Sequence, residues 1–158
     1  MATTVTASTL SIRITESITL NGVARNGGTT LSIESVKTIS NRIIEVTNAT
    51  HGTELITIST TAGPGQYDKT AVKYMRMTNL DDTNFVTIMF ATGDGDGGAG
   101  KSWTVKLEAG KSYVVGDLSL INDDDDIDDY ASGATNVARI VALADTAAID
   151  VEIYIAST

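Results

Sequence analysis

A glycine-rich segment in the second half of the chain has the residue types that bind phosphate. The pattern G-x-x-x-x-G-K-S, in which backbone N–H groups and a lysine hold a nucleotide, is met by Gly95, Gly100, Lys101 and Ser102. Such a loop must end at a helix N-terminus, whose free N–H groups and dipole attract the anion. The residues that follow, SWTVKLE, instead alternate as a β-strand does. We therefore predict a hairpin loop over 92–101 and no nucleotide site.

Two groups of aspartates offer oxygen ligands for a hard cation. The sequence GDGDGG resembles the start of a calcium loop, but the glutamate that closes an EF-hand is missing. The second group fills six of the seven positions 123–129. Carboxylates so close repel one another unless cations or a basic partner offset their charge, although most acidic runs are plain solvated loops. The metal prediction is a loose Ca²⁺ site, with candidate ligands Asp94, Asp96, Asp123, Asp124, Asp125 and Asp126.

The chain has few of the residue types that other kinds of catalysis need. There is no cysteine, and His51 is the only histidine, which argues against zinc sites and most acid–base schemes. His51 lies in the turn-like sequence NATHGT, with no nucleophile motif beside it. A small hydrolase using two of the 20 acidic residues is the weakest alternative. We predict that the protein is not an enzyme.

The net charge and the hydropathy of the chain limit the classes of partner that it can bind. The formal net charge of −9 opposes binding to the phosphate backbone of nucleic acids. The opening residues, MATTVTASTL, lack the basic and apolar regions of a secretion signal, and no stretch approaches the ~20 apolar residues that span a bilayer. We expect a soluble protein made in the cytoplasm, with neither nucleic acid nor membrane as partner.

The elements that must position these residues are short strands. Strict alternation, typical of a strand with one buried face, occurs in 10–14, 103–107 and 149–155. Tight turns with positive φ are predicted at Asn21-Gly22, Asn26-Gly27-Gly28 and Gly63-Pro64-Gly65. Weaker runs lie at 17–20, 30–38, 43–47, 54–59, 72–78, 85–91 and 112–115.

This spacing predicts an all-β fold. We expect one domain over 1–158, an antiparallel β-sandwich of jelly-roll type with about eight to eleven short strands. The segment 137–144 also fits a helix face, but the turn before the last strand favours a hairpin. The run FVTIMF at 85–90 is apolar on both faces, which indicates a central strand or a subunit contact. In the second case the interface residues are Phe85, Ile88 and Phe90.

Three segments in the second half carry a family resemblance. They are VKYMRMTNLDDTNFVTIMF at 72–90, VKLEAGKSYVVG at 105–116, which includes the strand-turn form L-x-x-G, and ADTAAIDVEIYIAST at 144–158. This half resembles the small β-sandwich structural proteins of tailed-bacteriophage virions, of the capsid decoration (cement) or fibre-associated type.

The resemblance implies a virion component, most specifically a capsid cement protein. It further implies a homo-oligomer, a trimer in this interpretation, that binds the major capsid protein or other virion subunits and stabilises the coat. A neck, tail or fibre component is the alternative within the same class. A carbohydrate- or calcium-dependent binding module is the alternative from another class.

Overall fold

The computed structural model describes residues 5–59, 63, 65–92, 102–116, 121–122 and 135–158. Within these ranges the regular structure consists of fourteen strands. They are β1 (Ser8–Glu16), β2 (Thr19–Leu20), β3 (Val23–Ala24), β4 (Gly27–Val36), β5 (Thr38–Val46), β6 (Thr53–Ser59), β7 (Gln66–Asp68), β8 (Val72–Asn79), β9 (Val86–Thr92), β10 (Ser102–Leu107), β11 (Ser112–Val115), β12 (Ile121–Asn122), β13 (Thr135–Ala144) and β14 (Ile149–Ser157). No helix able to cross a bilayer occurs in these ranges.

Eight strands form two sheets with the strand order of a jelly roll. Sheet I has the order β5-β14-β8-β11, and sheet II has the order β6-β13-β9-β10, with β7 parallel to β6 at its edge. The pairs β5/β14, β6/β13, β8/β11 and β9/β10 are those of one long hairpin. That hairpin is rolled up by two further pairings, β14 with β8 and β13 with β9. The predicted antiparallel sandwich of jelly-roll type is therefore confirmed.

A single apolar core fills the space between the two sheets. Strict alternation along β14 turns Ile149, Val151, Ile153 and Ile155 inward, and each is at most 1% exposed. Sheet II contributes Phe90, whose ring stacks on Trp103 at 5.0 Å and meets the edge of Tyr113 from sheet I at 5.8 Å. In β14 the period-two pattern thus decides the packing, because the alternate residues Asp150, Glu152 and Tyr154 are polar.

The predicted strands are present, and the differences have physical causes. The extra strands β3, β7 and β12 have only two or three residues, too few for alternation to be visible in sequence. The segment 137–144 is a strand, as predicted, but the predicted hairpin with the last strand is wrong. The β13 and β14 strands lie in opposite sheets. The turn between them crosses from one sheet to the other, so the two strands are not hydrogen-bonded to each other.

The turn predictions are confirmed at two places and wrong at a third. Asn21 and Gly22 both have positive φ, 51° and 78°, as a two-residue hairpin turn requires. Gly65 has a φ of 74°. Gly27 and Gly28 instead lie inside β4 without positive φ. Glycine suits position 28 for another reason: a Cβ there would lie 3.1 Å from the Ile14 backbone carbonyl oxygen.

Candidate functional site

The residues predicted to bind a cation lie outside the described part of the chain. This holds for Asp94 and Asp96 and for the four aspartates 123–126. Among the residues that the structure does describe, no group of three or more acidic, histidine or cysteine side chains is placed to hold a metal ion. The Ca²⁺ site therefore stays a prediction.

The nucleotide-loop pattern ends in a strand. Ser102 begins β10 and pairs with Ala91 of β9, so the two strands are hairpin partners across the segment 93–101. A phosphate-binding loop needs a helix N-terminus at this position, and the position carries sheet hydrogen bonds instead. The structure thus agrees with the interpretation as a hairpin.

The candidate interface residues on β9 have two different environments. Ile88 and Phe90 are 0% exposed and point into the core of the single chain, so no part of them is left for a partner. Phe85 precedes the strand, is half-buried, and has the Lys106 Nζ atom 4.0 Å from its ring centroid. On the outward face of β9, Met89 is half-buried and lines a surface groove.

That groove, of about 250 Å³, lies on the outer face of sheet II. The loop between β5 and β6 brings His51 to one side of it, and Met89 and Leu143 supply apolar walls. Threonine hydroxyls complete the lining. His51 is exposed, and the lining includes neither a carboxylate nor a second basic group. The groove offers contact surface but no acid–base pair.

The loop beside the groove has a fixed shape because of Gly52. Its φ is +66°, and a Cβ there would lie 2.8 Å from the Ala142 carbonyl oxygen and 2.9 Å from the Val141 Cγ1 atom. We expect Gly52→Ala to lower the free energy of unfolding by about 3 kcal/mol, through left-handed strain and the clash with backbone. The matched control is Gly22→Ala, at φ +78° with no atom within 4 Å, which we expect to cost about 1 kcal/mol. Equal losses in urea unfolding would contradict the steric argument.

A second and larger hollow, of about 510 Å³, lies at the β6 side of sheet II. Its polar lining includes Glu54, Thr57, Gln66 and Arg139. The Thr57 hydroxyl donates to the Glu54 carboxylate, and the buried Nε atom of Arg139 makes no hydrogen bond. One carboxylate and one guanidinium in an open hollow suit a polar contact, without the enclosed geometry that catalysis needs.

The first strands form an arm that sequence analysis did not anticipate. β1 and β4 pair with each other as a separate two-stranded ribbon, and β2 and β3 form a small hairpin between them. We call residues 8–36 the arm. Alternation in 10–14 predicted a half-buried strand of the sandwich, but Ile14 is 49% exposed. The available signal is the close spacing of the Asn21-Gly22 turn and the glycine pair 27–28, which leaves only residues 23–26 between them, too few for a sandwich strand.

The arm is amphipathic. On one face the cross-strand pairs are Leu10 with Ile33 and Ile12 with Leu31. On the other face the pairs are polar, Ser11 with Ser32 and Arg13 with Thr30. Antiparallel strands with this pattern normally cover their apolar face with another part of a protein.

Among the residues that the structure describes, the body of the chain covers only the base of this apolar face. Leu10, Ile12 and Ile33 are half-buried and pack against Tyr74 and Ala156 on the outer face of sheet I. Farther out, the large apolar side chains are about half exposed: Ile14, Ile18, Leu20, Val23 and Leu31. An isolated two-stranded ribbon is at best marginally stable in water, so this distal half lacks the support that the base has.

The surface that receives the base of the arm is held by polar and aromatic contacts. The Tyr74 and Tyr154 rings meet edge to face, 6.1 Å apart at 72°. The Arg76 guanidinium lies 5.8 Å from the centre of the Tyr154 ring and pairs with Glu152, with 2.6 Å between Nη2 and Oε2. These contacts fix side chains that would otherwise move, which gives the arm a rigid seat.

A bulge sets the direction of the arm where it leaves its seat. Ser8 pairs with Val36 and Leu10 with Ile33, so β4 has one residue more than β1 in this interval. Ser35 lies within it with a φ of +61°, a left-handed conformation unusual for serine. Bulges bend and twist a ribbon. The arm therefore leaves the sandwich at a defined angle.

An aspartate organises the loop between β8 and β9. The Asp81 carboxylate accepts hydrogen bonds from the backbone N–H groups of Asn84, at 2.6 Å, and Thr83, at 2.8 Å. These bonds hold the pKa of Asp81 below its ordinary value of 3.8, because they stabilise the charged form.

We expect the Asp81 carboxyl carbon to titrate below 3.8 in an NMR experiment. Because the folded pKa is depressed, the stability that Asp81 contributes is present above its unfolded value and is lost as the pH falls through the folded pKa. Asp81→Asn should therefore show a smaller loss of stability in this acid range than the natural chain. A midpoint at or above 3.8 would contradict the role of the two N–H groups.

Comparisons with protein-family models, with curated proteins and with solved structures gave no match to this chain.

Proposed function

We propose that this protein is a structural component of a virion, and most specifically a capsid decoration or cement protein that binds the coat and stabilises it. The observation that carries the proposal is the arm: an amphipathic ribbon fixed to a rigid jelly roll, with its distal apolar face open. Such an element gains stability by lying on another subunit. The resemblance of residues 72–158 to virion proteins supports the same class.

The sandwich suits this role because it presents broad, rigid faces. The two surface hollows described above, with His51 or with Glu54 and Arg139, are open to solvent and offer contact surface. The outer face of sheet II is rich in threonine, with Thr57, Thr87 and Thr104 among its lining residues. Their hydroxyl groups can donate or accept hydrogen bonds with a neighbouring subunit.

Particles of the virus that encodes the chain, prepared without this protein, provide the test. We expect them to release their genome at a lower temperature than complete particles, and we expect purified protein to restore the difference. The control is the same protein added to complete particles, where the sites are already filled and no further change should occur. Particles that are indifferent to the protein would contradict the proposal.

A binding module for carbohydrate would behave differently. Its melting temperature should rise in the presence of a sugar, since a ligand that binds only the folded state stabilises it. We expect no such shift across a panel of common sugars, and a clear shift would favour the binding module over the cement protein.

A further inference from the structure

We propose that the tip of the arm packs on the outer face of β5 in a second copy of this chain. The contact pairs the apolar tip with Ile39 and Ile43, and it pairs Arg25 with the carboxylates of Glu45 and Asp150. This inference concerns the purified protein alone and holds whether or not the chain is a virion component.

One face of the arm tip combines three apolar side chains with one cation. Leu20 and Val23 are cross-strand partners, and the Arg25 N–H donates to the Ile18 carbonyl oxygen at 2.8 Å, which places Arg25 opposite Ile18. Since residues two apart in a strand share a face, these four side chains lie together. Leu20 is 58% exposed, so no described part of the body of its own chain covers the tip.

The outer face of β5 has a matching set. Ile39 and Ile43 are 48% and 61% exposed, although they belong to a strand of the sandwich. Two residues beyond Ile43 on the same face is Glu45, which lies directly opposite Asp150 of β14. Both carboxylates are exposed. Like charges directly opposite each other in a sheet are destabilising, so this pair favours a cation beside it.

The two surfaces agree in spacing and in charge. On the arm, Arg25 is two positions after Val23, and on the body, Glu45 is two positions after Ile43; each step is about 7 Å along a strand. Residues 8–36 carry two arginines and two glutamates, whereas the rest of the chain carries the whole net charge of −9. Two acidic bodies repel each other. A neutral arm with Arg25 near its tip can approach an acidic body without that repulsion.

The occupant of the β5 face is not the chain's own tip. The arm is seated with Leu10 next to Ile39, in a groove that Tyr154 also lines, and β1 carries the tip away from that seat. Ile43 is 61% exposed, so the tip of the same chain does not cover this part of its own β5. A reciprocal exchange of arms closes a dimer, and a head-to-tail exchange closes a ring.

Charge reversal in the full-length chain tests this contact. We expect the natural protein to self-associate in sedimentation velocity experiments at concentrations up to about 100 µM. Arg25→Glu should weaken the association at least about tenfold, because it places like charges together. Combining it with Glu45→Lys should recover most of the loss. Arg13→Glu is the matched control, since Arg13 lies on the polar face of the same arm, and it should leave the association unchanged.

Each other outcome overturns the proposal. A natural protein that stays monomeric over this range has no such contact. Equal effects of Arg25→Glu and Arg13→Glu would show a response to net charge alone, and a double variant no better than Arg25→Glu would show that Glu45 is not the partner. If Arg25→Glu abolishes binding to particles while self-association persists, the tip binds a coat subunit instead.

Discussion

Replacing Phe90 with alanine is expected to lower the free energy of unfolding by about 4 kcal/mol, the largest effect of any single change considered. The ring is 0% exposed and joins the two sheets, because it stacks on Trp103 within sheet II and meets Tyr113 of sheet I edge-on. Truncation removes the apolar burial, both aromatic contacts and the volume that keeps the sheets apart. Urea unfolding followed by tryptophan fluorescence measures the change.

Two further variants separate these contributions. Phe90→Leu keeps most of the volume and should cost about 1.5 kcal/mol. Phe85→Ala removes a half-exposed ring whose recorded contact is the Lys106 ammonium, and it should cost about 1 kcal/mol or less. Similar losses for Phe85→Ala and Phe90→Ala would show that the core does not lie where the jelly-roll packing puts it.

Replacing Asn79 is expected to cost about 3 kcal/mol, although the residue is polar. Asn79 is 0% exposed at the end of β8. Its Nδ2 group donates to the carbonyl oxygens of Asn84, at 2.9 Å, and Leu107, at 3.1 Å, and its Oδ1 atom accepts the N–H of Asp81 at 2.9 Å. One side chain therefore ties together two loops at the same end of the sandwich. Asn79→Ala leaves these backbone groups without their partner.

Asn79→Asp distinguishes hydrogen bonding from simple packing. The shape is kept, but both donors are lost and burial raises the pKa of the introduced carboxyl group. Because its folded pKa lies above its unfolded value of about 3.9, the variant should be closest to the natural chain in acid and should lose stability as the pH rises through that window. A pH-independent difference between the two chains would contradict this account of the network.

The parts of the fold that sequence predicts are those where one face of a strand is apolar. In β10 and β14 the alternation is strict, because each strand has one face in the core. The hairpin expected between β13 and β14 failed because alternation shows that a residue points inward without showing to which sheet its strand belongs. Strand order depends on pairings between residues far apart in sequence, such as Ile149 with Val46, and periodicity carries no information on them.

The arm shows a second limit of predicting structure from the alternation of apolar residues. Leu10, Ile12 and Ile14 alternate as regularly as the residues of β14, yet the first two are half-buried and the third is exposed. Period two identifies a face that needs cover, but it does not say whether the cover comes from the same chain. The role of Asn79 is partly hidden in the same way. Its bond from the Asp81 N–H is a local Asx turn, but its bond to the Leu107 carbonyl oxygen joins a segment far away in sequence, and nothing in the sequence indicates that contact.

The central claim is that this protein contributes shape and adhesive surface to a virion, and its abundance in purified particles tests that claim most directly. Quantitative mass spectrometry of such particles gives the ratio of this chain to the coat subunit. For a cement protein we expect a fixed ratio close to one copy per coat subunit or per small group of them. A chain that is missing from the particles, or that is present in only the few copies of a neck or tail component, would contradict the assignment to the capsid.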